Sequence, residues 1–409
     1  MNRSWTHKYR MPQVLFEVLP NILACNMYIT LPPGAGYYQK MLVSKSDCTI
    51  ELQDGETFVI KIPKGSYLVP NSATGIIQKE NIITARAAIS EMTSLISTLS
   101  GDILSTNITS SMDTELSSSM SDSLVSAHCK QCLKHLCTNI KFRRVLPLPS
   151  VDWDQASEGW FCHLHAEDGH KLKPASLQPE HDECFYTELF FLIHPRMMDF
   201  INAEHNGCTI SCSGCKMILG EKTSQSIKLW AQNLSWLQDD GKIIYDRSIS
   251  EILLSLFHNI DRDNFGVNCR LVLQPLTMAK KYLYMVTMNT NQKLLVSDVP
   301  QCVSSETILK KSNKEKEGSQ VNGAPTKKLR VASEKEICLK KVYAIKLLYL
   351  VKEDEDEQTG EWVDDVNVHI IPCSNSFFQE VKCILENSSH CLPDNIRAIE
   401  NMSLGYIIK

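Results

Sequence analysis

Two short stretches, Cys129-Lys130-Gln131-Cys132 and Cys212-Ser213-Gly214-Cys215-Lys216-Met217-Ile218-Leu219-Gly220, decide how this chain is read. Two residues between a pair of cysteines let both sulfurs reach one ion from a single tight turn, and four soft thiolates suit tetrahedral zinc. Knuckle turns bring backbone amides towards the thiolates and often need positive φ, so Gly214 is expected to supply it. The second knuckle should leave its turn as a strand. The gap is unusual: 79 residues, 133–211, separate the pairs, against about 15 to 20 in an ordinary ribbon. Closure cost grows only logarithmically, so the gap mainly requires that the intervening chain form structure of its own. Buried free thiols and a redox pair are the rival readings. A thioredoxin-type pair sits at a strand-to-helix turn in a βαβ pattern, which neither knuckle matches. Four sulfurs on one ion leave no open position, so the zinc expected on Cys129, Cys132, Cys212 and Cys215 is structural.

The rest of the composition frames that site. The chain has 409 residues, 43% hydrophobic and 22% charged, with 42 Lys and Arg against 47 Asp and Glu. That is globular composition with room for two or three domains. A formal charge of −5 argues against a surface built to hold nucleic acid. No apolar run is long enough to span a bilayer, so no membrane partner is expected. Met1–Arg10 is charged with no apolar run behind it, so no secretory signal is expected. The 16 cysteines are then expected in a reducing compartment, where thiols bind metal more often than they pair.

The pattern along the chain predicts an α+β, β-dominated protein with an N-terminal antiparallel sheet domain, a zinc-stapled central region and a C-terminal α+β domain. Residues 1–99 hold short β-branched runs at Val14–Val18, Met27–Leu31, Thr49–Leu52 and Thr57–Ile62, with Ala85–Leu99 as a short helix. Residues 100–126 are Ser- and Thr-rich and read as a flexible insertion. Residues 127–225 form the zinc-binding and Trp-x-Cys-His region. Residues 226–309 are a middle α+β region, with a helix at Ile249–Ile260 and strands at Cys269–Gln274, Tyr282–Met288 and Lys293–Ser297. Residues 310–336 read as a Lys-rich linker. In the C-terminal α+β region, 337–409, Val342–Val351 and Trp362–Ile371 are expected as a hairpin across acidic Glu353–Glu357. A helix at Phe377–Leu385 and a strand at Leu404–Ile408 follow.

A second constellation lies between the knuckles: Arg143-Arg144-Val145-Leu146-Pro147-Leu148-Pro149-Ser150, then Trp153, then Trp160-Phe161-Cys162-His163. The prolines favour an extended backbone lacking donors, and the tryptophans are large anchors. Cys162 and His163, adjacent on an extended segment, point to opposite faces and are poorly placed as nucleophile and base. The residues favour an aromatic-anchored structural or binding segment over catalysis. No phosphate loop, nucleophile elbow or kinase signature occurs. Lys327-Lys328-Leu329-Arg330 is a small basic cluster compatible with nuclear import, and a cytoplasmic and nuclear protein is expected.

With these residues the chain resembles the HECT-like ubiquitin-protein ligases that bind ubiquitin-conjugating enzymes. The resemblance rests on the two knuckles, Arg144 to Ser150, Trp153, Trp160 to His163, Asp182-Glu183-Cys184-Phe185, Phe190-Phe191-Leu192 and Cys215 to Glu221, within about residues 127–222. It implies that the protein takes ubiquitin from a conjugating enzyme and passes it to protein substrates. HECT ligases use a cysteine near the end of a C-terminal lobe. Cys373, Cys383 and Cys391 match no such context, and no catalytic residue is assigned. The family is also similar to proteins that bind the metallo-β-lactamase-type endonuclease of pre-mRNA 3′-end processing. That likeness implies a non-catalytic inhibitor whose Cys162, flanked by Trp153, Trp160 and His163, reaches the partner's active-site zinc.

Overall fold

The computed structural model describes residues 11–90, 116–121, 123–148, 178–200, 203–222, 226–263, 269–275, 281–297, 335–353, 362 and 368–409. The protein is β-dominated, as its sequence indicates, and divides into two compact units. The first comprises residues 1–99, 288–348 and 383–409, the second residues 100–287 and 349–382. Each unit is assembled from pieces distant in sequence.

In the first unit, Gln13–Leu19 and Ala24–Thr30 pair antiparallel across a turn at Pro20–Ile22, and Ile82–Ala88 continues the sheet on the far side of Ala24–Thr30. A second, four-stranded sheet orders Lys335–Cys338, Thr57–Lys61, Asp47–Leu52 and Tyr38–Val43. Alternating residues of both sheets, among them Phe16, Met27, Ile29, Ile50, Phe58 and Ile60, share one core, which makes this unit a sandwich. Polar Glu17 points to the other face of its strand from Phe16 and is also buried, at 2% exposure. A buried carboxylate must be paired, and Lys346 Nζ lies 2.6 Å from Glu17 Oε1 while Asn26 Nδ2 donates to Oε2 at 3.3 Å.

In the second unit, a seven-stranded sheet runs Arg144–Pro147, Glu183–Tyr186, Phe190–Ile193, Ile227–Trp230, Ile218–Lys222, Thr209–Cys212, Ala203–Asn206. A four-stranded sheet runs Ile243–Tyr245, Leu234–Gln238, Val125–Cys129, His135–Ile140. Their inner faces enclose a core around Phe142, Phe191 and Trp236, whose rings pack edge-on at 5.6 to 6.0 Å between centroids. The helix Ile249–Asp263 buries Ile252, Leu253, Leu256 and Phe257 at helical spacing.

Several sequence expectations need correction. Ala85–Ala88 belongs to the strand Ile82–Ala88, not to a helix: Ile83, Ala85 and Ala87 are buried while Arg86 is exposed, a period of two. Residues 91–99 lie outside the described set. The expected strands Tyr282–Met288 and Lys293–Ser297 are one strand, Tyr282–Val296, whose polar middle at Asn289 and Asn291 looks like a turn in sequence. Val368–Cys373 does not complete a hairpin; it pairs parallel with Arg270–Pro275, and Trp362 lies outside any strand. Within the serine-rich stretch, residues 116–121 are helical, and Leu116 and Met120, four apart, are buried in the second unit's core. Lys335–Cys338, at the end of the Lys-rich stretch, is a strand parallel to Thr57–Lys61.

Candidate metal centre

The first knuckle closes the strand Val125–Cys129, and the second closes Thr209–Cys212. These strands belong to the two different sheets of the second unit, so the knuckles join the sheets at one end. This arrangement accounts for the long gap, because the residues between the knuckles build strands of both sheets.

The two turns are copies of each other. Cys129 N–H donates to the Lys134 carbonyl at 2.9 Å and Leu133 N–H to the Cys129 carbonyl at 2.8 Å. Equivalently, Cys212 N–H donates to the Met217 carbonyl at 2.8 Å and Lys216 N–H to the Cys212 carbonyl at 2.9 Å. Positive φ falls on Leu133 at 59° and Lys216 at 63°, and not on Gly214. Glycine at 214 meets a different need. A Cβ there would lie 3.3 Å from Cys132 Sγ and 3.1 Å from Lys134 Cδ, while the Gly214 N–H points at Cys212 Sγ at 3.4 Å.

Asn233 ties the knuckles together. It is buried, its carbonyl accepts from Lys130 N–H at 3.0 Å, and its Nδ2 donates to the Ile218 carbonyl at 2.7 Å. Nothing in the sequence pattern marks this asparagine, because its role depends on two turns meeting in space. Lys130 Nζ also pairs with Asp246 Oδ1 at 2.7 Å, which fixes the first turn from outside.

The four sulfurs lie within 4.8 Å of one another, with Cys129–Cys215 and Cys132–Cys212 each at 3.6 Å. A tetrahedral ion with metal–sulfur bonds of about 2.3 Å needs sulfur–sulfur edges of about 3.8 Å. The four cysteines can therefore hold a metal ion. Among the described residues this is the one cluster of three or more such ligands. Burial pushes the Cys129 thiol up to about 12. Burial would also raise Cys212, but the amides of Cys215 and Gly214 and the neighbouring thiols outweigh it and bring that thiol down to about 7. One ligand is thus poised as a thiolate. A cavity of about 260 Å³ adjoins the knuckles, walled by Gln131, Met217, Ile218 and Trp230.

The second constellation divides. Arg144–Pro147 pairs parallel with Glu183–Tyr186, which joins the Arg144 motif to the Glu183-Cys184-Phe185 motif. Glu183, 1% exposed, accepts from Arg143 at 3.1 Å and lies 2.6 Å from the Arg144 guanidinium. Leu148 N–H then donates to the Tyr186 carbonyl at 2.8 Å. Trp153, Trp160, Cys162 and His163 lie outside the described residues. Of the C-terminal cysteines, Cys373 and Cys391 are pushed by burial to about 12 and about 11. Cys383 is half-buried on the helix Asn375–Ser389 and accepts from Asn387 Nδ2 at 3.3 Å.

Comparison with known proteins finds one family profile, HECT-like ubiquitin-conjugating enzyme (E2)-binding, over residues 17–404. The chain is 22% identical over 417 residues to a Rattus norvegicus protein named as an E3 ubiquitin-protein ligase, covering 96% of each chain. It is 21% identical to the Mus musculus protein of the same name, covering 97% of each. The Homo sapiens protein of that name is 22% identical across 71% of this chain and 74% of its own. No solved structure matches.

Proposed function

The chain belongs to the HECT-like ubiquitin-conjugating enzyme (E2)-binding family, and from that premise we propose that it is a ubiquitin-protein ligase. In this reading it binds a ubiquitin-charged conjugating enzyme and passes the ubiquitin to protein substrates. The observation that carries the reading is the family match across residues 17–404, supported by the ligase name of relatives aligned almost end to end.

The metal on Cys129, Cys132, Cys212 and Cys215 is, in this proposal, one zinc ion. Four thiolates at tetrahedral spacing are the donor set that selects it, and bound zinc supplies cross-linking without an open coordination position. Its contribution is then folding free energy, holding the two sheets of the second unit at the knuckles. The chain's own part is to keep the turns closed through Asn233 and to aim the Gly214 amide at a thiolate.

Transfer through Cys373 or Cys391 is disfavoured, because burial holds both thiols protonated at neutral pH and the thiolate is the nucleophile. A second reading is favoured by the way the chain is fixed ahead of its Trp-x-Cys-His stretch, by Arg143 and Arg144 on Glu183 and by Leu148 on Tyr186. A segment anchored there could present Cys162 to the zinc of the 3′-end endonuclease and block the position of its activated water. Binding of the purified full chain to a panel of conjugating enzymes and to that nuclease separates the two. Capture of a conjugating enzyme, unchanged by Cys162→Ala, supports the ligase. Capture of the nuclease alone, lost in Cys162→Ala with unchanged melting, replaces it with the inhibitor.

A further inference from the structure

The four knuckle cysteines are not equivalent. Cys129 and Cys212 are buried, Cys132 is exposed and Cys215 is half-buried. The short sulfur contacts run between the knuckles, not within them: Cys132 faces Cys212, and Cys129 faces Cys215, each at 3.6 Å. Gly214 adds no side chain over the first of these pairs, where a Cβ would stand 3.3 Å from Cys132 Sγ and 3.7 Å from Cys212 Sγ. An exposed sulfur on one knuckle is therefore backed at close range by a buried sulfur on the other. Cysteine oxidation follows exposure and thiolate character, and a sulfenic acid formed beside a second thiol condenses with it to a disulfide.

From this asymmetry we infer that Cys132 and Cys212 are a peroxide-sensitive pair, whose disulfide takes the place of the metal ion as the link between the knuckles. The inference rests on the zinc proposed above for these cysteines and is independent of the ligase reading. The Cys132 thiolate attacks one oxygen of hydrogen peroxide; the O–O bond breaks, Cys132 becomes a sulfenic acid and hydroxide leaves. The buried Cys212 thiolate then attacks the sulfenic sulfur; the S–O bond breaks, the S–S bond forms and a second hydroxide leaves. The two sulfurs have given up two electrons, and the peroxide ends as two waters once the hydroxides take protons from solvent. A disulfide is about 2.05 Å long, so the two sulfurs close by about 1.5 Å. Two thiolates remain, too few for a closed tetrahedral site, so the ion leaves and Cys129 and Cys215 take up protons. A bond inside one knuckle, such as Cys129 to Cys132, would release the ion and staple nothing. The bond between the knuckles keeps the two sheets of the second unit joined, and a dithiol reductant reverses it.

The test uses the full chain, with its zinc measured by elemental analysis before hydrogen peroxide is added. Zinc release is followed with a chromophoric chelator, remaining thiols are alkylated, and tryptic peptides are mapped by mass spectrometry. Cleavage after Lys130 puts Cys129 and Cys132 on different peptides, while fragmentation separates Cys212 from Cys208 and Cys215. Release of about one zinc should coincide with a Cys132–Cys212 linkage, and dithiothreitol with added zinc should reverse both. The oxidised chain should melt above reduced chain stripped of metal by a chelator. Cys208 is also exposed but binds no metal in this reading, so Cys208→Ser should leave the linkage unchanged. Absence of zinc before peroxide would remove the metal reading and the switch together. With zinc present, four results would overturn the switch alone: zinc retained under peroxide, a linkage within one knuckle, a linkage of Cys132 to Cys208, or melting no higher than in the stripped reduced chain.

Discussion

Leu133 and Lys216 occupy the same place on the two knuckles, each four residues after its first cysteine and each in the left-handed region, at φ 59° and 63°. Neither is glycine, and a residue with a Cβ pays about 1 to 2 kcal/mol for that conformation. The turn hydrogen bonds to the Cys129 and Cys212 carbonyls hold it in place.

Relief of this strain is measurable. Leu133 is 68% exposed, so truncating it sacrifices little packing. Leu133→Asn should leave metal content unchanged and raise unfolding free energy by about 0.5 to 1 kcal/mol in urea titration, since asparagine tolerates the left-handed region.

Glycines 214 and 220 should differ sharply. A Cβ on Gly220 would lie 1.9 Å from the Lys228 carbonyl oxygen, which is backbone and cannot yield, whereas a Cβ on Gly214 meets a flexible lysine and a sulfur at more than 3 Å. Gly220→Ala should lose about 3 kcal/mol or more, or fail to fold. Gly214→Ala should fold and show weakened metal retention against a chelator.

Much of this is legible in the chain. The β-dominated class follows from short β-branched runs, and Ile249–Asp263 from its apolar spacing. The knuckles are visible because their ligands are local pairs. Their partners are not. Asn233 acts through two turns that meet only after folding, and the positive φ sits on Leu133 and Lys216, residues with no turn preference. The Arg144 and Glu183 motifs each stand out separately, but their ion pair depends on parallel strand pairing across 38 intervening residues. Linear segmentation also misses units assembled from distant pieces, because sheet partners are chosen by burial and not by sequence proximity.

Metal uptake should be linked to protons. Elemental analysis should find about one zinc bound tightly per chain, and Cys212→Ser should lose both that ion and thermal stability. Thiols must deprotonate to bind, so affinity falls as pH falls. With Cys212 near 7 in the metal-free protein, it is largely protonated at pH 6 and largely ionised at pH 8. Calorimetry in buffers of differing ionisation heat should therefore count about one proton fewer released at pH 8 than at pH 6.

The C-terminal thiols give a further expectation. Burial raises Cys373 and Cys391, and neither offers a thiolate at neutral pH. Cys373→Ala and Cys391→Ala should leave ubiquitin transfer within about twofold of wild type, while Cys373, at 1% exposure, costs about 1 to 2 kcal/mol of stability on truncation.

Ligase function is tested most directly by one assay. Conjugating enzymes charged with ubiquitin as the thioester are mixed with the zinc-replete full chain, and loss of the thioester is followed with time. At least one conjugating enzyme should bind the chain and discharge its ubiquitin faster in its presence, with conjugates on protein lysines. Absence of binding and of accelerated discharge across the whole panel, with the chain folded and its four-cysteine site loaded with metal, would contradict a ubiquitin-protein ligase.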